Sequence, residues 1–127
     1  MERETQRTPE QWRQLCDSSA WFAAESDREL VGIACGSPGS ASRPRQFELY
    51  SMWVALSVRG TGVSGSLLAE IVKWAREKDA TELHLLVAED NFRAIHFYER
   101  SGFVPSGDRE PLRSNLEIMT IGMSLRL

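Results

Sequence analysis

The chain has 127 residues, of which 42% are hydrophobic and 26% charged, and a formal net charge of -3. This length supports one packed core and not two ordinary domains, so a single domain over residues 1–127 is expected. The negative charge speaks against the basic surface that nucleic-acid phosphates require, so no nucleic-acid partner is expected.

No apolar run approaches the ~18–20 residues of a membrane span, and the segment from Met1 to Arg7 lacks the apolar centre of a signal peptide. A cytoplasmic protein with no membrane partner follows as the expectation. Cys16 and Cys35 stand outside any CxxC or Cys/His cluster, so packing roles and no metal are expected.

In chain order, Thr8, Pro9 and Gln11 form a capping-box start, predicting a short helix to about Asp17. Trp21 to Glu25 and Leu30 to Cys35, separated by Ser26, Asp27, Arg28 and Glu29, predict an antiparallel hairpin. Ser37 to Arg45 is rich in Gly, Ser and Pro and predicts a surface loop. Phe47 to Ala55 predicts a central strand, with Glu48 as its one carboxylate. A carboxylate there either faces solvent, pairs with a cation such as Arg45, or serves as a base with a raised pKa.

From Gly65 onward, Leu67, Leu68, Ile71, Val72, Trp74 and Ala75 share one face of a predicted helix, and Lys73, Arg76, Glu77 and Lys78 the other. Leu83 to Val87 predicts a strand. Asn91 to Arg100 predicts a helix stopped by Ser101 and Gly102. Phe103–Val104 and Leu116 to Leu125 predict two closing strands around a polar loop, Ser106 to Asn115. His84 and His96 read as ordinary strand and helix-surface residues. Trp12, Trp21, Trp53 and Trp74 read as core or cleft walls.

The segment Arg59, Gly60, Thr61, Gly62, Val63, Ser64, Gly65 lies between the central strand and the amphipathic helix. Glycines permit close backbone approach, and a helix start offers free N–H groups and a positive dipole end, so a phosphate or pyrophosphate site is predicted. A glycine turn that merely packs the helix is the plain alternative. The spacing Gly60-x-Gly62-x-x-Gly65 also fits a dinucleotide fingerprint, but the turn lies too far from the strand end and the chain is short for a doubly wound sheet. No Gly-Lys-Ser/Thr follows, which speaks against an ATP-type loop.

A second pattern accompanies the turn: Asn91-x-x-Ala94-x-x-Phe97-Tyr98-x-x-x-Gly102-Phe103. Together the two patterns resemble the GNAT superfamily of N-acetyltransferases, over Trp21 to Leu125 in element order. The resemblance implies a mixed α+β fold: a mostly antiparallel twisted sheet of about six strands with a splayed parallel pair, flanked by about three helices. It implies acetyl-CoA as co-substrate, its pyrophosphate held by backbone from Arg59 to Gly65, with Ser64 standing where Gly or Ala is usual. Met52, Trp53 and Val54 would pair with the pantetheine arm, with Asn91 across the cleft and Ala94, Phe97 and Tyr98 beside it. Tyr98 matches a general acid for the leaving thiolate and Glu48 a general base, with water as the alternative base. The acceptor would be a small-molecule or peptide amine, in a pocket between the helix near Trp12, the strand near Glu48 and the loop Ser106 to Asn115.

Relatives usually open with a strand before the first hairpin, and this sequence shows only a short helix there. Either that strand is absent, leaving an exposed sheet edge that predicts a homodimer, or the sequence starts late. The alternative function is a catalytically inactive acyl-CoA-binding or sensing module of the same fold.

Overall fold

The computed structural model describes residues 5–6, 19–26, 28–112 and 115–127. Strands β1 (Thr5–Gln6), β2 (Ala20–Ser26), β3 (Glu29–Ser37) and β4 (Gln46–Val54) come first. A 3-10 turn (Leu56–Val58) leads to helix α1 (Val63–Glu77). Strand β5 (Glu82–Ala88), helix α2 (Phe92–Arg100), β6 (Val104–Leu112) and β7 (Asn115–Arg126) complete the chain. The sheet order is β1-β2-β3-β4-β5-β7-β6, antiparallel throughout except for the parallel pair β4 and β5. No helix among the described residues is long and apolar enough to cross a membrane.

The amphipathic stripe of α1 packs as its periodicity predicts: Val63, Leu67, Leu68, Ile71, Trp74 and Ala75 are buried. They cover one sheet face, where Phe22, Ala34, Phe47, Leu49, Leu83, Leu85 and Met123 complete the core. The Phe47 and Trp74 rings meet at 5.1 Å between centroids. Close approach of helix to sheet requires small residues on β3. A Cβ at Gly36 would lie 2.7 Å from Trp74 Cζ3 and 3.3 Å from Ile71 Cδ1.

One irregularity shapes the middle of the sheet. The β3–β4 register steps from Gly36 opposite Leu49 to Cys35 opposite Ser51, leaving Tyr50 as an extra residue, a β-bulge. Because side chains alternate, the bulge moves the inward set of β4 from Phe47 and Leu49 to Met52 and Val54. The ladder between β4 and β5 stops at the same place. It covers Gln46 to Leu49 against Glu82 to Leu85, whereas β3 follows β4 to Val54 and β7 follows β5 to Ala88. The parallel pair is therefore splayed, as the resemblance implies.

Two expectations change. The loop predicted from Ser106 to Asn115 is mostly strand β6, paired to β7 around a bulge between Pro105 and Arg109. Pro105, Pro111 and the charges of Asp108, Arg109 and Glu110 read as loop, yet an outermost strand exposed to water tolerates both. The β2 edge is not bare along its length, because Thr5 and Gln6 pair with Glu25 and Ala24. Two α-helices and a 3-10 turn stand among the described residues; the helix predicted from Thr8 to Asp17, with Trp12 and Cys16, lies outside them.

Substituting Gly36→Ala should force the Trp74 ring aside and destabilise the fold by about 1–3 kcal/mol, outweighing the smaller entropic gain of losing a glycine. Urea denaturation should show a lower midpoint at unchanged slope.

Candidate functional site

The glycine turn is built from local hydrogen bonds that leave its far end open. Arg59 N–H donates to Leu56 O at 3.2 Å and Thr61 N–H to Val58 O at 3.2 Å, and the Thr61 hydroxyl also donates to Val58 O. Gly60 and Gly62 have φ of 82° and 96°, a left-handed conformation that favours glycine. Gly62 is the cap residue of α1, and the first helical bond runs from Ser66 N–H to Gly62 O at 3.0 Å. The N–H groups of Val63, Ser64 and Gly65 precede any possible intrahelical acceptor. No acidic side chain occupies the first turn of α1, and a Cβ placed on Gly60, Gly62 or Gly65 would meet nothing within 4 Å. With exposed Arg59 alongside, this is an open, positively polarised backbone cradle.

The strand opening lies just upstream of the turn in the chain. Met52, Trp53 and Val54 stand on β4 beyond the last rung shared with β5, so their backbone on that side has no strand partner among the described residues. Trp53 remains 49% exposed. On α2, Asn91 is the N-cap and its Oδ1 accepts the Ala94 N–H at 3.2 Å. The helix ends as predicted at Gly102, φ 102°, with Phe103 N–H donating to Tyr98 O at 3.0 Å. Phe97 and Tyr98 rings meet at 5.2 Å, and Tyr98 and Phe103 at 5.5 Å. Burial pushes the Tyr98 phenol up to about 12, so it is protonated at neutral pH. Its hydroxyl has no hydrogen-bond partner among the described residues.

On the sheet face away from α1, Glu48 meets a partner that the sequence reading passed over. Glu48 and His84 are directly paired across β4 and β5, with His84 Nδ1 3.1 Å from Glu48 Oε1. His84 Nε2 lies 2.9 Å from Asp108 Oδ2 and 3.3 Å from Ser106 Oγ. Ser106 Oγ donates to the same Asp108 oxygen at 3.0 Å, and Gln46 Nε2 approaches Glu48 Oε2 at 3.4 Å. The β6 bulge carries Ser106 and Asp108 over the imidazole, and Gly122 on β7 leaves the room: a Cβ there would be 2.8 Å from Nε2. His84 is thereby buried, with 8% of its side chain exposed, against 34% for Glu48 and 52% for Asp108.

The His84 pKa is raised above 6.5 by its hydrogen bond to Glu48, working against burial, and further by the charges of Glu48 and Asp108. Glu48 is thus held by a histidine, and Arg45 is not its partner. One sequence signal could have revealed this: Phe47-Glu48-Leu49 and Leu83-His84-Leu85 interrupt two neighbouring apolar strands at matching places. Asp108 is brought to the site through His84. Glu110 is exposed, its main-chain carbonyl accepting the Thr120 hydroxyl at 2.6 Å. His96 is exposed on α2, as expected. The two carboxylates sit on opposite ring nitrogens, and no group of three or more ligands able to hold a metal occurs among the described residues.

The model of the Acetyltransferase (GNAT) family matches residues 1–103. Streptothricin acetyltransferase of Streptomyces lavendulae is 34% identical over 91 residues, covering 72% of this chain and 47% of that protein. N-acetyltransferase family 8 member 2 of Rattus norvegicus is 28% identical over 90 residues, covering 69% and 40%. The crystal structure of nourseothricin acetyltransferase aligns with a TM-score of 0.78 at 30% identity, covering 86% of this chain and 65% of that one. The chain spans less than half the length of these two curated relatives. With most of its length matched, the chain belongs to the GNAT family of acetyltransferases.

Proposed function

We propose that this chain transfers an acetyl group from acetyl-CoA to the amine of a small-molecule or peptide acceptor. The observation that carries the reading is the juxtaposition in sequence and fold of an open strand pair with a helix-start cradle. The free edge of Met52 to Val54 suits an extended ligand arm that pairs as a strand would, and the cradle from Arg59 to Gly65 suits a pyrophosphate. Acetyl-CoA has both parts in that order. The names of the relatives, all acetyltransferases, agree with it.

In this reaction the amine attacks the thioester carbonyl, main-chain donors beside β4 stabilise the oxyanion, and the tetrahedral intermediate collapses with release of the thiolate. Glu48 takes the proton that an ammonium acceptor must lose before it can attack. Tyr98 gives its proton to the departing sulfur. Support for Tyr98 is its buried hydroxyl with no partner among the described residues, a state that polar groups seldom keep without a ligand. Burial holds the phenol in its acid form. Asn91 and Ala94 start the helix that carries Tyr98, and Phe97 packs its ring.

Calorimetric titration with acetyl-CoA, with NADH as control, should give micromolar binding of acetyl-CoA alone. A panel of amines should then release free thiol. Binding with no thiol release from any amine would leave a coenzyme-binding module, and no binding would end the reading. Tyr98→Phe should keep acetyl-CoA affinity while lowering turnover by about 10^2- to 10^4-fold. Gly62→Ala should act on the opposite quantity. Its φ of 96° is strained for alanine, and relaxing it re-aims the first N–H groups of α1, so the acetyl-CoA dissociation constant should rise roughly ten-fold.

A further inference from the structure

His84 has no role in the steps above, yet it is buried with a carboxylate against each ring nitrogen. A neutral imidazole has one N–H donor; only the imidazolium donates from both nitrogens. The cluster therefore has two proton states. In one, the imidazolium binds Glu48 and Asp108 together, and its charge opposes uptake of a further proton by Glu48. In the other, the ring keeps Nε2–H toward Asp108 and turns a bare Nδ1 lone pair toward Glu48. The remaining groups facing the ring are few. Ser106 on β6 and Ser124 on β7 are uncharged, and Gln46 is the side chain beside Glu48 on β4. Glu82, two residues away on β5, accepts the Ser124 hydroxyl at 2.8 Å and pairs in register with Arg126.

Glu48 stands one residue before the β4–β5 ladder ends, at the root of the opening. We propose that His84 is a positioning residue for Glu48, fixing its carboxylate at the opening and storing at Nδ1 the proton that Glu48 takes from the acceptor ammonium. This rests on the acyl-transfer reading. An ammonium N–H bond breaks, its proton goes to Glu48 Oε1, and the freed lone pair attacks the thioester. The proton passes on to Nδ1, which restores the carboxylate and leaves an imidazolium between two carboxylates. After the product departs, the Nδ1 proton returns through Glu48, which reaches solvent, to water.

The sign of the pH dependence follows. The imidazolium blocks storage, so kcat/KM rises with pH as His84 loses its proton. Asp108→Asn removes one stabilising charge, lowers the His84 pKa, and moves that rise to lower pH by roughly one unit. The acceptor's own ionisation is the same for both proteins. His84→Gln removes the limb altogether.

The chain has two histidines, so NMR titration of the ring carbons, with His96→Gln for assignment, reads His84 directly. The expected result is a parallel fall of the His84 pKa and of the kinetic midpoint in Asp108→Asn. A His84 pKa that falls while the kinetic midpoint stays in place overturns the inference and leaves acyl transfer standing. So does a His84 titration indifferent to Asp108→Asn. Absence of acetyl-CoA-dependent turnover at every pH in the unaltered protein overturns both. Asp108 is half exposed, so its variant decides the matter even where His84→Gln fails to fold.

Discussion

The extra residue at Tyr50 is the constraint on which the rest depends. A strand in the middle of a sheet is normally paired along both edges, and a run of unpaired backbone there is costly. Here the bulge bends β4 away from β5 after four rungs, while β3 keeps hold of the other edge. The same inserted residue flips the alternation of β4. Phe47 and Leu49 stay in the core, Met52 and Val54 take over the inward face, and Glu48 is left on the opposite side of the sheet. The β4–β5 ladder thus ends beside the bulge, with Glu48 one rung inside it and facing away from the Phe47 and Leu49 side.

Much of this was legible in the sequence because its causes are local. The stripe of α1, the glycine conformations of the turn, the Asn91 cap and the Gly102 stop depend on residues within a turn or two of one another. What remained hidden depends on long-range pairing. Strand β6 carries a composition suited to a loop and is strand only because β7 supplies a ladder. His84 reads as an ordinary strand residue until the parallel register sets it beside Glu48 and the β6 bulge folds Ser106 and Asp108 over it. The splay itself was implied by resemblance; periodicity places a strand at Phe47 to Ala55 without revealing a bulge at Tyr50.

The proposed acid and the proposed base stand in contrasting surroundings. Tyr98 is enclosed by Phe97 and Phe103, with no charge to stabilise a phenolate, and stays protonated. Glu48 keeps a third of its side chain in water and shares a histidine with a second carboxylate. A lone buried carboxylate would gain basicity by desolvation but would hold its proton against return to solvent. Paired with the imidazole, Glu48 keeps both a hydrogen-bond partner and access to water.

The proposed reading divides the site between main-chain groups and side chains. In the proposed reading the cofactor is held by main-chain groups of β4 and of the α1 start, and main-chain geometry tolerates sequence change as long as glycines keep the turn open. Ser64, in place of the usual Gly or Ala, is half-buried in the first turn of α1 and leaves the helix intact. Tyr50 and Trp53 on β4 and Leu86 on β5 remain exposed. Those positions carry no folding load comparable to the buried Trp74 or Leu85. In the proposed reading, the acceptor is chosen by side chains in the part of the molecule that the fold constrains least.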